Sequence, residues 1–322
     1  MFRKFAISLL VPVVIALSGG LGTAIAAPSV QSASAVHYMN IYKGKAGHGG
    51  GGGNVSYLTY HSGPVQTTAA VYIVFWGSAW NSTVATGSDG SFSYTPQQAM
   101  TYVTDFFSNV GGSPWGNVDT QYCQGVAPGT INCGSYGTHV SNPTGQLAGS
   151  YVDTTNPLPP SPTQTDIANE AIRAAEYFKY SASIQPNATF FVLTPSGDSM
   201  SGFGTSWCAW HSSTAVTSGN LPYAYLPYQP DAGASCGENF VNATANSYGN
   251  GYFDGFSIVG GHEYAEANTD PVPSSGWVDR RGAENGDKCA WSTLSTNITL
   301  SNQHYYAVQP LWSNTASGCA VS

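Results

Sequence analysis

An α+β domain with a mixed sheet, a few helices and three disulfides is the architecture this sequence predicts. Three observations predict it. Strand-type and helix-type stretches follow one another along residues 57–322 without a break in composition. Six cysteines, an even number, fall in the same stretch. A late helix-type segment, Gly261–Glu266, carries a His and two Glu at helical spacing in a chain with only six Glu.

The elements follow in order. Residues 1–26 read as a secretory signal: Arg3 and Lys4, an apolar run from Phe5 to about Leu17, then Ala24-Ile25-Ala26 as a cleavage site. That run is too short for a membrane span, and no later segment is long and apolar enough. The chain is therefore expected to be secreted and extracellular. Residues 27–56 read as a flexible leader or pro-segment, because the run Gly49–Gly53 cannot build a core. His48 within it reads as a solvated linker histidine. Ala69–Trp76 is β-branched and aromatic, the pattern of a buried strand. Thr95-Pro96 opens a helix as N-cap and N1, with Met100, Val103, Phe106, Phe107 and Val110 on its inner face and Gly111-Gly112 as its stop. Tyr151-Val152 lies in a strand. A second helix spans about Thr165 to Tyr180, with Ile167, Ala171, Ala174 and Phe178 inward. Thr189–Leu193 and Tyr223–Tyr228 are further strands. The His-Glu helix comes next, and Pro271 and Pro273 stop it.

Composition excludes some partners. The formal charge is −8, and −10 once Arg3 and Lys4 leave with the signal. So acidic a chain, with so few Lys and Arg, is a poor ligand for nucleic acid or an anionic membrane. Cys123, Cys133, Cys208, Cys236, Cys289 and Cys319 sit in an oxidising compartment, where three disulfides are the default. The sequential pairing, which closes three modest loops, is preferred among the possible ones. No Cys-x-x-Cys pair suggests a zinc-thiolate site.

The chemistry concentrates at Gly261-His262-Glu263-Tyr264-Ala265-Glu266. His262 and Glu266 are i and i+4, so a helix sets them on one face, one turn apart. Glu263 stands where the general base stands in His-Glu-x-x-His zinc peptidases. With this composition a chance His-Glu-x-x-Glu is expected only roughly 0.002 times, the false-positive rate against which such a motif is weighed. A catalytic zinc takes three protein ligands. Glu284 is the first choice for the third, because Glu284-Asn285-Gly286-Asp287 follows the helix after a Pro-rich turn. By analogy with thermolysin-type peptidases, Asp287 would then orient the ligand imidazole. His211, in Trp207-Cys208-Ala209-Trp210-His211, is the rival third ligand, and Asp270 at i+8 a weaker one. The competing reading is an ion-pair helix matched by Arg280, Arg281 or Lys288. His211, beside a Cys and two Trp, also reads as a packed core histidine. His61, His139 and His304 have no partner in sequence and are assigned no role. There is no Gly-x-Ser-x-Gly elbow, and Gly49–Gly53 has no preceding strand to make it a phosphate loop. Nothing favours pairing Glu263 with Asp254 or Glu284 as a glycosidase dyad.

From Tyr60 to Cys289 the chain resembles the phosphate-induced, or EXORDIUM-like, secreted proteins of plants and their bacterial relatives. The resemblance is carried by Tyr60-His61-Ser62-Gly63-Pro64, Val71–Gly77, Val103–Phe107, Trp115, Val152-Asp153, Asp166-Ile167, Val192-Leu193-Thr194 and Cys208–His211. Its strongest block is Gly261–Glu266, followed by Asp270-Pro271, Gly276-Trp277 and Glu284–Cys289. It implies that Glu284 and Asp287 belong with the helix, since the family pattern carries Glu-x-x-Asp before a Cys, and it weakens Asp270. The chain departs from the plant pattern after Cys236.

The expectation is a single zincin-like α+β domain over 57–322 that acts as a secreted zinc-dependent hydrolase of the metallopeptidase type. His262, Glu266 and Glu284 would hold Zn²⁺, with His211 as the alternative ligand. Glu263 would take a proton from the attacking water and pass it to the leaving amine of a peptide or protein substrate. The alternative is a non-enzymatic extracellular protein that binds cell-wall glycan or a surface partner, with the cluster in a structural role.

Overall fold

A computed structural model describes residues 35–44, 56–181 and 186–322. The signal, most of the Gly-rich leader and His48 lie outside the described residues. The core is a six-stranded mixed sheet built from β1 (His37–Asn40), β2 (Ala70–Trp76), β3 (Leu147–Asp153), β4 (Ala188–Leu193), β5 (Trp207–Val216) and β6 (Gly219–Tyr225). Its strand order is β1-β5-β6-β4-β2-β3. The β1/β5 and β5/β6 pairs are antiparallel, whereas β6/β4, β4/β2 and β2/β3 are parallel. Three helices complete the frame: α1 (Pro96–Asn109), α2 (Gln164–Tyr177) and α3 (Asp254–Thr269). The predicted α+β class, mixed sheet and helices are all present. Trp207–Val216 was not anticipated as a strand, because its small and polar residues (Ala209, Ser212, Ser213) break the aliphatic pattern.

One expectation fails at the N-terminus. His37–Asn40, placed in the flexible leader by the sequence reading, is an edge strand hydrogen-bonded to β5. Four residues are enough because they extend an existing sheet instead of forming one alone.

Strand alternation divides the core in two. Val71, Ile73 and Phe75 of β2 face α1 and α3, where they join Val103, Phe106, Phe107, Ile258 and Val259. Val74 and Trp76 face the other way, toward Ile167, Ala168, Ala171 and Ala174 of α2. The helix boundaries have local causes. Thr95 accepts from the Gln98 amide while Gln98 caps back onto Thr95, with Pro96 at the first turn. Thr163 and Asp166 make the same reciprocal cap on α2. Helix α3 differs from both, because every residue from Asp254 to Thr269 is buried. It has no solvent face, and small residues let its neighbours close in. A Cβ on Gly261 would lie 3.3 Å from the Trp115 ring and 3.4 Å from Phe106.

The disulfides pair sequentially, Cys123–Cys133, Cys208–Cys236 and Cys289–Cys319. The second ties β5 to the turn over Gln229–Cys236, and the third anchors the segment that follows Glu284. Cys208 and Cys236 are 28 residues apart, and a loop of that length restricts the unfolded chain by about 3–4 kcal/mol in the chain-entropy view. The double variant Cys208→Ala/Cys236→Ala should therefore fold with a lowered denaturant midpoint and lose about 3 kcal/mol. Equilibrium urea unfolding of both proteins measures it.

Candidate metal centre

Side-chain direction in two elements builds the site. Along β5, Trp210 joins the α2-side core, so His211 points to the α3 side. His37 lies directly opposite His211 in the antiparallel register, while Tyr38 lies opposite Trp210. Residues paired this way share a face, so both imidazoles come up beneath α3, with ring centroids 5.7 Å apart. On α3, His262 and Glu266 occupy one face as their spacing required, with His262 Nε2 3.0 Å from Glu266 Oε1.

The segment Glu284–Asp287 closes the site from the far side, and it is held in several ways. Asn285 donates to Asp119 (2.7 Å) and to the Ala265 carbonyl (3.3 Å). The Asp287 amide donates to Glu266 Oε1 at 3.0 Å, and Gln309 donates to the Gly286 carbonyl at 2.8 Å. Gly286 is there for space. A Cβ would lie 2.8 Å from His262 Nδ1 and 2.9 Å from Glu266 Oε1.

Three histidines and three carboxylates then alternate around a ring. His211 Nε2 is 3.4 Å from Glu266 Oε2 and 3.3 Å from Glu284 Oε2. His37 Nδ1 is 3.2 Å from Glu284 Oε1, and His37 Nε2 is 2.5 Å from Asp287 Oδ2. Asp287 Oδ1 is 3.8 Å from His262 Nε2, which closes the circuit. His211, His262, Glu263, Glu266 and Glu284 are all buried. His37 and Asp287 alone of the ring reach solvent, at 19% and 20% side-chain exposure.

Every site residue named from the sequence except Asp270 is brought together here. Both candidates for the third ligand, Glu284 and His211, are present. Asp270 instead accepts the amides of Ser274, Ser275 and Gly276 and shapes the turn after α3. The expected orientation of His262 by Asp287 is corrected: that task falls to Gln309, whose Oε1 lies 3.1 Å from His262 Nδ1. The Gln309 amide nitrogen is committed to Gly286, so its oxygen faces the ring and Nδ1 carries the proton. In the neutral imidazole the lone pair of Nε2 is then left toward Glu266. Two participants had no sequence signal. His37 stood in a segment dominated by glycine, and Gln309 belongs to no motif.

The ion-pair reading of the helix does not match the geometry. Lys288 pairs with Asp279 at 3.4 Å and stacks on Trp312. Arg280 and Arg281 are exposed. Among the described residues no Lys or Arg contacts the ring. Nor do the ring's side chains hold one another by well-aligned hydrogen bonds beyond His37–Asp287. His211 Nδ1 and Nε2, His262 Nε2, Glu266 Oε2 and both oxygens of Glu263 and Glu284 are buried without a hydrogen-bond partner. These atoms are close together yet not aimed at one another. That is the disposition of donors sharing a central cation: four donors at 2.0–2.2 Å from an ion lie about 3.3–3.6 Å from each other. The residues fit a metal ion, and two groupings, His37–Glu266–Asp287 and His211–Glu263–Glu266, bring ligand atoms within 4.8 Å of one another. A third grouping, Cys123–Cys133–His139, has its thiols consumed in a disulfide.

Titration follows from burial and mutual charge. Burial alone would lower His37, but Glu266, Glu284 and Asp287 carry it up to about 10. His262 reaches about 10 in the same way, with Glu266 the main opponent of burial. His211 is raised against burial by Glu266. Burial pushes Glu263 up to about 8, tempered by His262. Burial also raises Glu284 well above the usual carboxylate range, aided by Asp270 and Glu266. Glu266 is the exception: burial would raise it, but His262, His37 and His211 hold it well below. Without a cation the ring thus retains protons, and a metal ion must displace them.

Two predictions follow from this packing. Gly286 has ordinary helical dihedrals, so Gly286→Ala acts by steric pressure on His262 and Glu266 alone. It should weaken zinc binding about 10–100-fold, the usual cost of disturbing the groups that orient a ligand, as measured by competition with a chelator. The second concerns Asp119, which burial lifts from 3.8 to about 8 against its bonds from Asn268 and Asn285. The folded state binds its proton more tightly than the unfolded chain. Its contribution to stability is complete below pH 3.8 and is lost as pH rises toward 8. Asp119→Asn, permanently neutral, should lose less stability than the parent between pH 4 and 8, as read from unfolding midpoints across that range. Comparison of the chain with protein-family models, with curated proteins and with solved structures found no match in any of the three.

Proposed function

We propose that the protein is a secreted zinc-dependent hydrolase of the peptidase type, with the ring around α3 as its metal centre. One observation supports this above all: a buried cluster of carboxylates and imidazoles in which His211, His262 Nε2, Glu266 Oε2 and both oxygens of Glu263 and Glu284 lack a hydrogen-bond partner and, among the described residues, meet no Lys or Arg. Burying such charge without a cation costs several kcal/mol per ion. A divalent cation relieves that cost in one step. His211, His262, Glu266 and Glu284 are the residues that would hold it.

Zinc bound there would polarise a carbonyl and lower the pKa of water. Glu263 supplies the proton transfer. Its two oxygens are buried and unpartnered, and an oxygen lies within 4.8 Å of ligand atoms of His211 and Glu266. Its burial beside the ligand atoms suits a group that accepts a proton from water and returns it to a leaving amine. His37 and Asp287 flank the side open to solvent and would line the approach. A helix that presents His-Glu against a sheet with an antiparallel edge strand accords with a zincin-like domain, and an EXORDIUM-like relationship accords with the Glu284-x-x-Asp287 segment beside it.

A second reading has its own support. The ligand atoms are closed off apart from the His37–Asp287 side, as suits a structural ion in a non-enzymatic protein that binds cell-wall glycan or a surface partner. The Glu263→Gln variant separates the two. On the hydrolase reading it retains zinc while cleavage of a mixed peptide library falls by about 10²–10⁴-fold. Metal content and cleavage are measured on the same preparation. A zinc-loaded parent with no cleavage, or a variant as active as the parent, would sink the peptidase proposal.

A further inference from the structure

We propose that the centre holds two divalent cations, with Glu266 bridging them. This rests on the metal-centre reading above and extends it from one ion to a pair. The two ligand histidines address different oxygens of the same carboxylate. His211 Nε2 lies 3.4 Å from Glu266 Oε2, whereas His262 Nε2 lies 3.0 Å from Oε1. Each histidine has its own second carboxylate. Glu284 Oε2 is 3.3 Å from His211 Nε2, and Asp287 Oδ1 is 3.8 Å from His262 Nε2. The donors thus divide into two triads with only Glu266 in common. Two of the groupings with ligand spacing among the described residues differ from these triads in membership, with His37 and Glu263 in place of His262 and Glu284, yet they too fall on the Asp287 and His211 sides and share only Glu266.

His37 explains how the outer carboxylates stay apart. Its Nδ1 faces Glu284 Oε1 and its Nε2 bonds Asp287 Oδ2. Each outer carboxylate therefore turns one oxygen to His37, Asp287 by a hydrogen bond and Glu284 by proximity alone, and turns the other to its own triad. Charge agrees with the count. Glu263, Glu266, Glu284 and Asp287 bring four negative charges when ionised, and three of these residues are fully buried. With the histidines neutral as ligands and all four carboxylates ionised, one divalent cation leaves two charges uncompensated, whereas two cations cancel all four. Metal pairs of this kind, about 3.5–4 Å apart, are used to stabilise both the attacking and the leaving oxygen of a displacement.

The test is stoichiometry, independent of activity. Tag-free protein is stripped with chelator and titrated with Zn²⁺, and bound metal is counted by mass spectrometry after desalting. Two equivalents per chain are expected, falling to one in His262→Gln and one in His211→Gln. Saturation of the parent at one equivalent would overturn the pair while leaving the metal centre intact. No bound zinc would overturn both. Two equivalents persisting in both variants would place the second ion elsewhere and defeat the proposal. Should a variant not fold, the parent alone decides with Co²⁺: two ions bridged by a carboxylate give a spin-coupled spectrum, and an uncoupled one counts against the bridge.

Discussion

Negative charge buried along α3 is the constraint on which the rest of the structure depends. Glu263, Glu266 and Glu284 are fully buried, and among the described residues no Lys or Arg pairs with them. An isolated carboxylate in that position would be prohibitively destabilising. Only imidazolium or a metal ion can match the charge, so the surrounding elements are arranged to bring histidines to it. Strand β5 delivers His211, β1 delivers His37, and α3 carries His262 itself. The Cys289–Cys319 bridge, the Gln309 amide and the Asn285–Asp119 bond serve the same end, because each fixes the segment that carries Glu284 and Asp287.

Register does the positioning at the sheet edge. A shift of one residue between β1 and β5 would put Tyr38 opposite His211 and turn His37 away from α3. The observed pairing, with Tyr38 against Trp210 on the apolar α2 face and His37 against His211 on the polar α3 face, is the one that buries each side chain among its own kind. A short strand is therefore specified by what lies on either side of it, not by its intrinsic propensity.

Legibility in the sequence tracks how local each determinant is. The α1 boundary was readable because Thr95, Pro96 and Gln98 interact within one turn. The His262/Glu266 pair was readable because helical geometry alone brings i and i+4 together. The disulfides were readable as a count and an order, since short loops close readily. His37 was not, because its partners lie 247 and 250 residues away and its own segment carries a glycine run that argues against structure. Gln309 was not, because an amide that orients an imidazole can come from anywhere in the chain. Glu284 and His211 appeared as rivals for one ligand position, since a sequence names donors but not which oxygen each one faces. The geometry sets Glu284 Oε2 beside His211 Nε2 at 3.3 Å, so the two are neighbours in one ring and not alternatives.

Access is where the enzymatic and structural readings part. Of the seven titratable groups, His37 and Asp287 alone are partly exposed, and they are bonded to each other across the opening. A substrate reaching Glu263 from that side would have to separate them. The carboxylate of Asp287 is restrained by its own neighbours, Glu284 and the Glu266-bonded amide. His37 is held by β1, a four-residue edge strand, whose flanks are tied by Ser212 Oγ donating to the Ala35 carbonyl and Trp291 Nε1 donating to the Asn40 carbonyl. Both sides of the opening are thus tied to the fold, and the His37–Asp287 bond spans the gap between them. A ring closed in this way joins β1 to α3 through His37, Asp287 and Glu266. Whatever the chemistry, the ring and the edge strand act as one unit.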